Sequence, residues 1–349
     1  MAIDDSNNRE AFRKLVDCLA TNRAIAFIGA GYSARALTQD GKPAYPTWNG
    51  LLNLMHERVE RLQPGAAKGL DTVHDPLWRA EEYRRLLGEE YATFIRETFG
   101  LKNPQLSDFH KTMVLVPFRH FLTTNYDLLL EEVFQHVLLT QHRNGNLSEA
   151  ESCYSQIIER SITWCDRANL ANFFRHIDDP MYPSRIIHVH GRYDQPESIV
   201  LTERDYASRY IEGTKTHQML WTLGVTHPFI FIGFSASDFD VMAFFRAVRT
   251  ILGPEGPEHF ILYSLPPEQD GAAWRRMLRG KFGMNPVYYE TPQISGYSDH
   301  SAVETLVSEI YQSYINRQKS SNVMLSSYQR ELKIARIKKL MQEKKKGKP

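Results

Sequence analysis

Ala24-Ile25-Ala26-Phe27-Ile28-Gly29-Ala30-Gly31-Tyr32-Ser33 is the stretch on which the fold turns. An unbroken apolar run enters Gly-x-Gly, with a hydroxyl two residues further on. Such a run suits a strand buried on both faces, as in a parallel α/β sheet. The glycines let the backbone turn sharply and approach a ligand with no Cβ between. A helix starting there would aim free N–H groups and a partial positive charge at an anion. The stretch therefore reads as a pyrophosphate cradle built on Gly29, Ala30, Gly31 and Ser33. Ala34 stands where a third glycine would be, and no acidic residue closes a following strand at the expected distance. A tight strand–helix turn with no ligand is the alternative.

Three later stretches repeat the pattern of a strand running into polar residues. In Arg119-His120-Phe121-Leu122-Thr123-Thr124-Asn125-Tyr126-Asp127 a short strand meets a polar cluster, and a helix begins at once. Ligands of open parallel sheets bind outside the carboxyl ends of the strands, where Thr123, Thr124, Asn125 and Asp127 would stand. Helix capping is the other reading of the same residues. In Arg185-Ile186-Ile187-His188-Val189-His190-Gly191-Arg192 the two histidines are two apart, so alternation predicts that both face one side of the sheet. A metal would need further ligands with sensible spacing, which are not visible. His190, against Gly191 at a strand end, is better suited to acid–base work, with a lone structural histidine as the alternative. Phe229-Ile230-Phe231-Ile232-Gly233-Phe234-Ser235-Ala236-Ser237-Asp238 is again a strand, a glycine turn and hydroxyls, with Ser237 or Asp238 capping a helix over 240–252.

Between these stretches the periodicity predicts helices over 9–20, from Trp48 with Thr47 as its cap, over 75–100 throughout, and over 105–117. Residues 128–180 read as mostly helical, with a loop near 141–151 and no nameable strand. A short strand is expected at 198–202, helices at 203–213 and 216–223, strands at 259–263 and 287–290, and a helix at 301–315. The whole is an α/β, Rossmann-like parallel sheet over 1–317. It has helical insertions at about 48–115 and 128–180, and a basic C-terminal tail or helix over 318–349.

Composition narrows the classes. At 42% hydrophobic and 24% charged, the 349 residues are those of an ordinary globular protein. Residues 330–349 carry nine basic and two acidic side chains, leaving 33 basic against 39 acidic over 1–329, so a mildly acidic body bears a basic tail. A basic tail can meet nucleic-acid phosphates, though it is more often a solvated end. Three scattered cysteines, Cys18, Cys153 and Cys165, form no CxxC pair, which argues for a reducing compartment and against a disulfide framework or a four-cysteine zinc site. The absence of a leader and of an apolar run near 18 residues leads to the expectation of a cytoplasmic protein without membrane contact.

Taken in order, the four stretches resemble the sirtuin family. Gly29-Ala30-Gly31-Tyr32-Ser33 is similar to its Gly-Ala-Gly-x-Ser loop, and Thr123-Thr124-Asn125-Tyr126-Asp127 to its Thr-Gln-Asn-Ile-Asp motif. His190-Gly191 is similar to its catalytic His-Gly, and Gly233-Phe234-Ser235 to its Gly-Thr/Tyr-Ser loop. Three departures stand out. No zinc cysteines follow His190, the Gly-Ile-Pro-Asp-Phe-Arg segment is replaced by Gly41-Lys42-Pro43-Ala44-Tyr45-Pro46-Thr47-Trp48, and Thr124 replaces the glutamine. With Ser235-Ala236-Ser237-Asp238-Phe239-Asp240 they resemble the zinc-less bacterial branch found in antiphage defence, whose members hydrolyse NAD.

That resemblance implies NAD as substrate, no zinc, and release of nicotinamide and ADP-ribose through an oxocarbenium-like centre. Asn125 would orient the ribose and the attacking water, and His190 would act as base toward water or a ribose hydroxyl. Gly29, Ala30 and Gly31 would hold the pyrophosphate. Asp127 would contact the nicotinamide amide or the ribose. Ser33 and Ser235 would contact phosphate or ribose, beside Thr124 and Gly233. It also implies a homo-oligomer and a partner ATPase or sensing protein. Protein deacylation, ADP-ribosyl transfer, and non-catalytic binding of NAD or ADP-ribose within a complex are the competing readings.

Overall fold

A computed structural model of the chain describes residues 5–100, 102–142, 161–208, 215–234, 239–266, 269–294 and 297–320. Its centre is a seven-stranded, all-parallel sheet. The strands are β1 (Ile25–Ile28), β2 (His120–Thr123), β3 (Ser161–Thr163), β4 (Ile186–His188), β5 (Phe229–Ile232), β6 (His259–Leu265) and β7 (Met284–Glu290), in the order β3-β4-β2-β1-β5-β6-β7. Every residue of β1 is buried. Ala26 and Ile28 join a core on one face, and Ile25 and Phe27 join a second core on the other. Burial on both faces is why the strand is apolar without alternation.

The first core is roofed by α1 (Ser6–Ala20), α3 (Trp48–Leu62), α4 (Pro76–Leu87), α5 (Glu90–Phe99), α6 (Asp108–Leu115), α7 (Leu129–His142) and the last described helix, Ala302–Ser320. The second core meets α8 (Arg167–His176) and helices Lys215–Thr226, Phe239–Leu252 and Gly271–Phe282. A four-residue helix, α2 (Ala30–Ser33), follows β1 directly. Thr47 caps α3 as expected, its side chain accepting the N–H of Gly50.

Some expectations are corrected. The helix predicted over 75–100 is two helices, parted at Gly88, whose φ of 53° breaks the ladder. The region expected to lack a strand contains β3, whose three residues are too few to show a period. Residues 198–202 form no strand; a short helical turn at Pro196–Ser198 is followed by Val200, whose N–H bonds the carbonyl of His190. The helix near 141 runs on to His142, and the rest of the expected 141–151 loop lies outside the described residues, as do Ser235, Ser237, Asp238 and the tail beyond residue 320.

Strand order reverses between β1 and β5, the switch point at which parallel sheets bind ligands. The last paired residues Thr163, His188, Thr123, Ile28 and Ile232 stand in one row across five strands. The segments carrying Gly29, Asn125, His190 and Gly233 all leave the sheet just beyond that row.

Candidate active site

The turns after β1 and β5 are interlocked. Gly29 donates its N–H to the carbonyl of Ile232 at 2.9 Å, and Gly31 donates to that of Gly233 at 2.9 Å. A Cβ on Gly29 would lie 2.6 Å from the Gly233 oxygen, and one on Gly233, at φ 63°, would lie 2.4 Å from the Tyr32 nitrogen. The glycines are therefore demanded by the crossing of two backbones. That requirement stands apart from any phosphate, and it occupies the Gly31 N–H that a cradle would use.

Asn125, Ser33 and Asp127 are brought together in one buried chain. The Asn125 side-chain amide donates to the Gly29 carbonyl at 3.1 Å and to Ser33 Oγ at 2.9 Å. Ser33 Oγ donates to Asp127 Oδ1 at 3.0 Å, and the Leu129 N–H donates to the same oxygen at 3.1 Å. Asp127 thus both caps the approach to α7 and anchors Ser33. Thr123 Oγ1 donates to the Ile28 carbonyl and accepts the Asn125 N–H, fixing the start of the loop on β1. The Thr124 N–H bonds the same Ile28 carbonyl.

His190 stands on the neighbouring strand end, 3% exposed, its ring edge-on to Tyr206 at 5.3 Å. Burial pushes its pKa down to about 3, so the imidazole is neutral at pH 7. The turn behind it is fixed by Gly191 at φ 87°, where a Cβ would lie 2.2 Å from the Ser198 oxygen. The Trp164 indole donates to that oxygen at 2.7 Å. His188 and His190 do not share a surroundings as alternation predicted. His188 meets Glu131 of α7, and His190 meets Tyr206, because β4 ends at His188 and the chain turns.

Two carboxyls here are held above their usual range. Burial raises Asp127 to about 6, outweighing the donors Leu129 N–H and Ser33. Burial, followed by the neighbouring Asp127 and Glu131 charges, raises Glu132 to about 7. Tyr45, from the loop that departs from the family pattern, donates its hydroxyl toward Glu132 at 3.5 Å. Glu131, Glu132 and Ser161 lie outside the quoted strand-end motifs, and Arg192 closes one of them without a role assigned to it. Among the described residues no group of three or more His, Cys, Asp or Glu side chains could hold a metal. Among the same residues no helix is long and apolar enough to cross a membrane.

Residues 119–279 match the family model described as a SIR2-like domain. That segment is similar to a SIR2-like domain. The matched segment spans β2 to α-helix Gly271–Phe282, and β1 with its glycine turn lies outside it, yet pairs between β2 and β5. Curated relatives agree. The chain is 20% identical over 256 residues to the NAD(+) hydrolase ThsA of Cytobacillus dafuensis, covering 72% of this chain and 43% of that protein. It is 23% identical over 257 residues to the NAD(+) hydrolase ThsA of Enterococcus faecium, covering 72% and 45%. It is 23% identical over 251 residues to Defense-associated sirtuin 2 of Bacillus subtilis, covering 71% and 21%. The chain thus spans less than half the length of each of these relatives.

Proposed function

We propose that this protein hydrolyses NAD at the nicotinamide–ribose bond, giving nicotinamide and ADP-ribose, as the NAD-depleting effector of a bacterial antiphage defence system. The observation that carries the reading is the pairing of Asn125 and His190 on the adjacent ends of β2 and β4, beside the glycine turn at the switch point. The names of the relatives support it.

In this reading the bond between ribose C1′ and the nicotinamide nitrogen breaks, and the pair of electrons leaves with nicotinamide. The cationic ribose carbon is then captured by water. Such a carbon is a strong electrophile, so a weak base suffices. Neutral His190 accepts a hydrogen bond from the water or a ribose hydroxyl and need not be tuned to neutral pH. The Asn125 amide orients the ribose and water. Asp127 faces the developing positive charge. Gly29, Ala30, Gly31 and Ser33 line the phosphate side, with Thr124, Gly233 and Ser235 around the ribose and phosphates.

We assign residues 1–317 to this NAD-binding unit, with its helical insertions, and 318–349 to a separate basic tail. In the same proposal the protein acts in the cytoplasm as a homo-oligomer with an ATPase or sensing partner. Purified protein and NAD, followed by chromatography, should yield nicotinamide with free ADP-ribose. Asn125→Ala and His190→Ala should abolish product while circular dichroism stays unchanged. Saturable NAD or ADP-ribose binding without product, with or without the partner, would instead favour a non-catalytic subunit.

A further inference from the structure

A buried histidine that the reaction does not use lies directly under Asn125. His188 is the last residue of β4, paired with Thr123 on one side and Thr163 on the other. Its Nδ1 lies 3.0 Å from the Asn125 carbonyl oxygen, and its Nε2 lies 2.8 Å from Glu131 Oε1 in the first turn of α7. A carbonyl oxygen and a carboxylate both accept, so both ring nitrogens donate. Although burial would raise Glu131, the charge and hydrogen bond of His188 hold its carboxyl below the usual range, consistent with an ionised acceptor. Glu131 Oε1 also accepts Ser161 Oγ from β3 at 2.6 Å, and Arg192 Nη1, just beyond His190, donates to that hydroxyl at 3.1 Å. Arg192 is fixed in turn by an ion pair with Asp194.

The network therefore joins the two segments on which the proposed chemistry depends. One end grips the Asn125 main chain and the other grips the turn after His190, with Glu131 between them. A histidine and a glutamate buried in this way are costly to desolvate, and apolar residues of like size would hold the fold as well or better. The cost is reasonable if the pair fixes a geometry. We propose that His188 and Glu131 are positioning residues for the SIR2-like site: His188, oriented by Glu131, holds the Asn125 loop at its working distance from His190. This rests on the hydrolase reading given above, but the positioning itself can be tested without turnover.

Three variants separate donor geometry from bulk. Asparagine can present an N–H near the position of Nδ1, so His188→Asn keeps the bond to the Asn125 carbonyl and loses the one to Glu131. His188→Gln reaches instead toward Glu131 and abandons Asn125. His188→Ala loses both. With NAD as substrate and product formation followed by chromatography, His188→Gln and His188→Ala should lower kcat by about 100-fold, the scale of an ångström-sized misplacement, with KM for NAD changed less than about threefold. His188→Asn should recover most of that loss. A merely structural role would lower melting temperature in all three and leave kcat per folded molecule alike. Equal kcat in His188→Gln and His188→Asn would overturn the proposal. If wild-type protein turns over no NAD even with its partner, the hydrolase reading fails. Crystal structures then decide the positioning: in His188→Gln the Asn125 amide should leave Ser33 and the Gly29 carbonyl, while in His188→Asn it should stay. An Asn125 unmoved in both would overturn the proposal independently of activity.

Discussion

Asp127 is one of two carboxyls in this site, with Glu132, whose charge changes near neutral pH. Its carboxylate is wholly buried and raised to about 6 by that burial, while His190 is lowered to about 3 by the same cause. The two therefore exchange the roles that free side chains would suggest. Over pH 5–8 the histidine keeps one state, and the aspartate passes from neutral to charged. If the Asp127 charge stabilises the cationic ribose centre, kcat for NAD should fall about tenfold per pH unit below about 6 and level off above it. Asp127→Asn keeps an acceptor oxygen for Ser33 and the Leu129 N–H, so the fold should stand. Its kcat should drop by about 100-fold, on the scale of a lost preorganised electrostatic partner, and become flat between about pH 5 and 8. A residual rate in that variant that still falls below pH 6 would assign the titration to another group, Glu132 being the next to examine because it is raised to about 7.

The turns after β1 and β5 act as one element, although some 200 residues separate them in sequence. Gly233 has both a positive φ and a backbone nitrogen 2.4 Å from where its Cβ would stand, whereas Gly41 has a φ of 77° and nothing within 4 Å. Alanine at Gly41 should cost about 1 kcal/mol, the penalty of the left-handed conformation alone. Alanine at Gly233 adds an overlap that only separation of the two turns can relieve, and should cost about 3 kcal/mol or more. Urea unfolding of both variants checks this, and equal losses would show that conformation, not crossing, demands the glycine. The contrast also explains what could be read in the sequence. Strands β1 and β5 are continuous apolar runs because they are buried on both faces, β2 and β4 hold an apolar pair beside His120, Thr123 and His188, and each ends in a polar or glycine turn. The position of Asn125, Asp127 and Ser33 just beyond strand ends followed, while the order of the strands in the sheet did not. β3 did not follow, because three residues with Ile162 as the one apolar side chain carry no period, and pairing with β4 supplies the rest. Nor did the Glu131–His188–Ser161 network, whose members come from three elements and acquire meaning only when β3 is set beside β4. In sequence the glycines point toward a phosphate; that the same residues serve a backbone crossing is a tertiary fact without a local signal.

At the scale of the whole molecule, the histidines decide how the protein meets acid. His110, His120 and His259 each accept a main-chain N–H at Nδ1, from Ser107, Arg185 and Phe229 respectively. Those bonds need neutral rings, and burial lowers the three to about 4, 3 and 3, with His190 also at about 3. They tie α6, the start of β2 and the start of β5 to their neighbours, so protonation would loosen the sheet at several points. An unfolded chain binds a proton at each of these histidines below about pH 6.5, and the folded chain does not. Their stabilisation is thus complete above about 6.5 and is lost as pH falls toward 3–4. Asp127 and Glu132 work the other way: raised to about 6 and 7, they stabilise the fold increasingly as pH falls from about 7 to 4. Four histidines against two carboxyls leave the unfolded state with about two more protons near pH 5.5, and the slope follows the sign of that difference. Stability should therefore fall by about 3 kcal/mol per pH unit between about pH 6 and 5, and more steeply to the extent that solvent screening of partly exposed Glu132 shrinks its opposing contribution. Urea midpoints at about pH 7.5, 6 and 5 measure it. His120→Asn and His259→Asn, which keep an acceptor for the Arg185 and Phe229 N–H groups without a titrating ring, should each flatten the slope by about one proton. A midpoint that holds steady or rises from pH 7.5 to 5 would mean that the raised carboxyls, not the buried histidines, govern the acid limb.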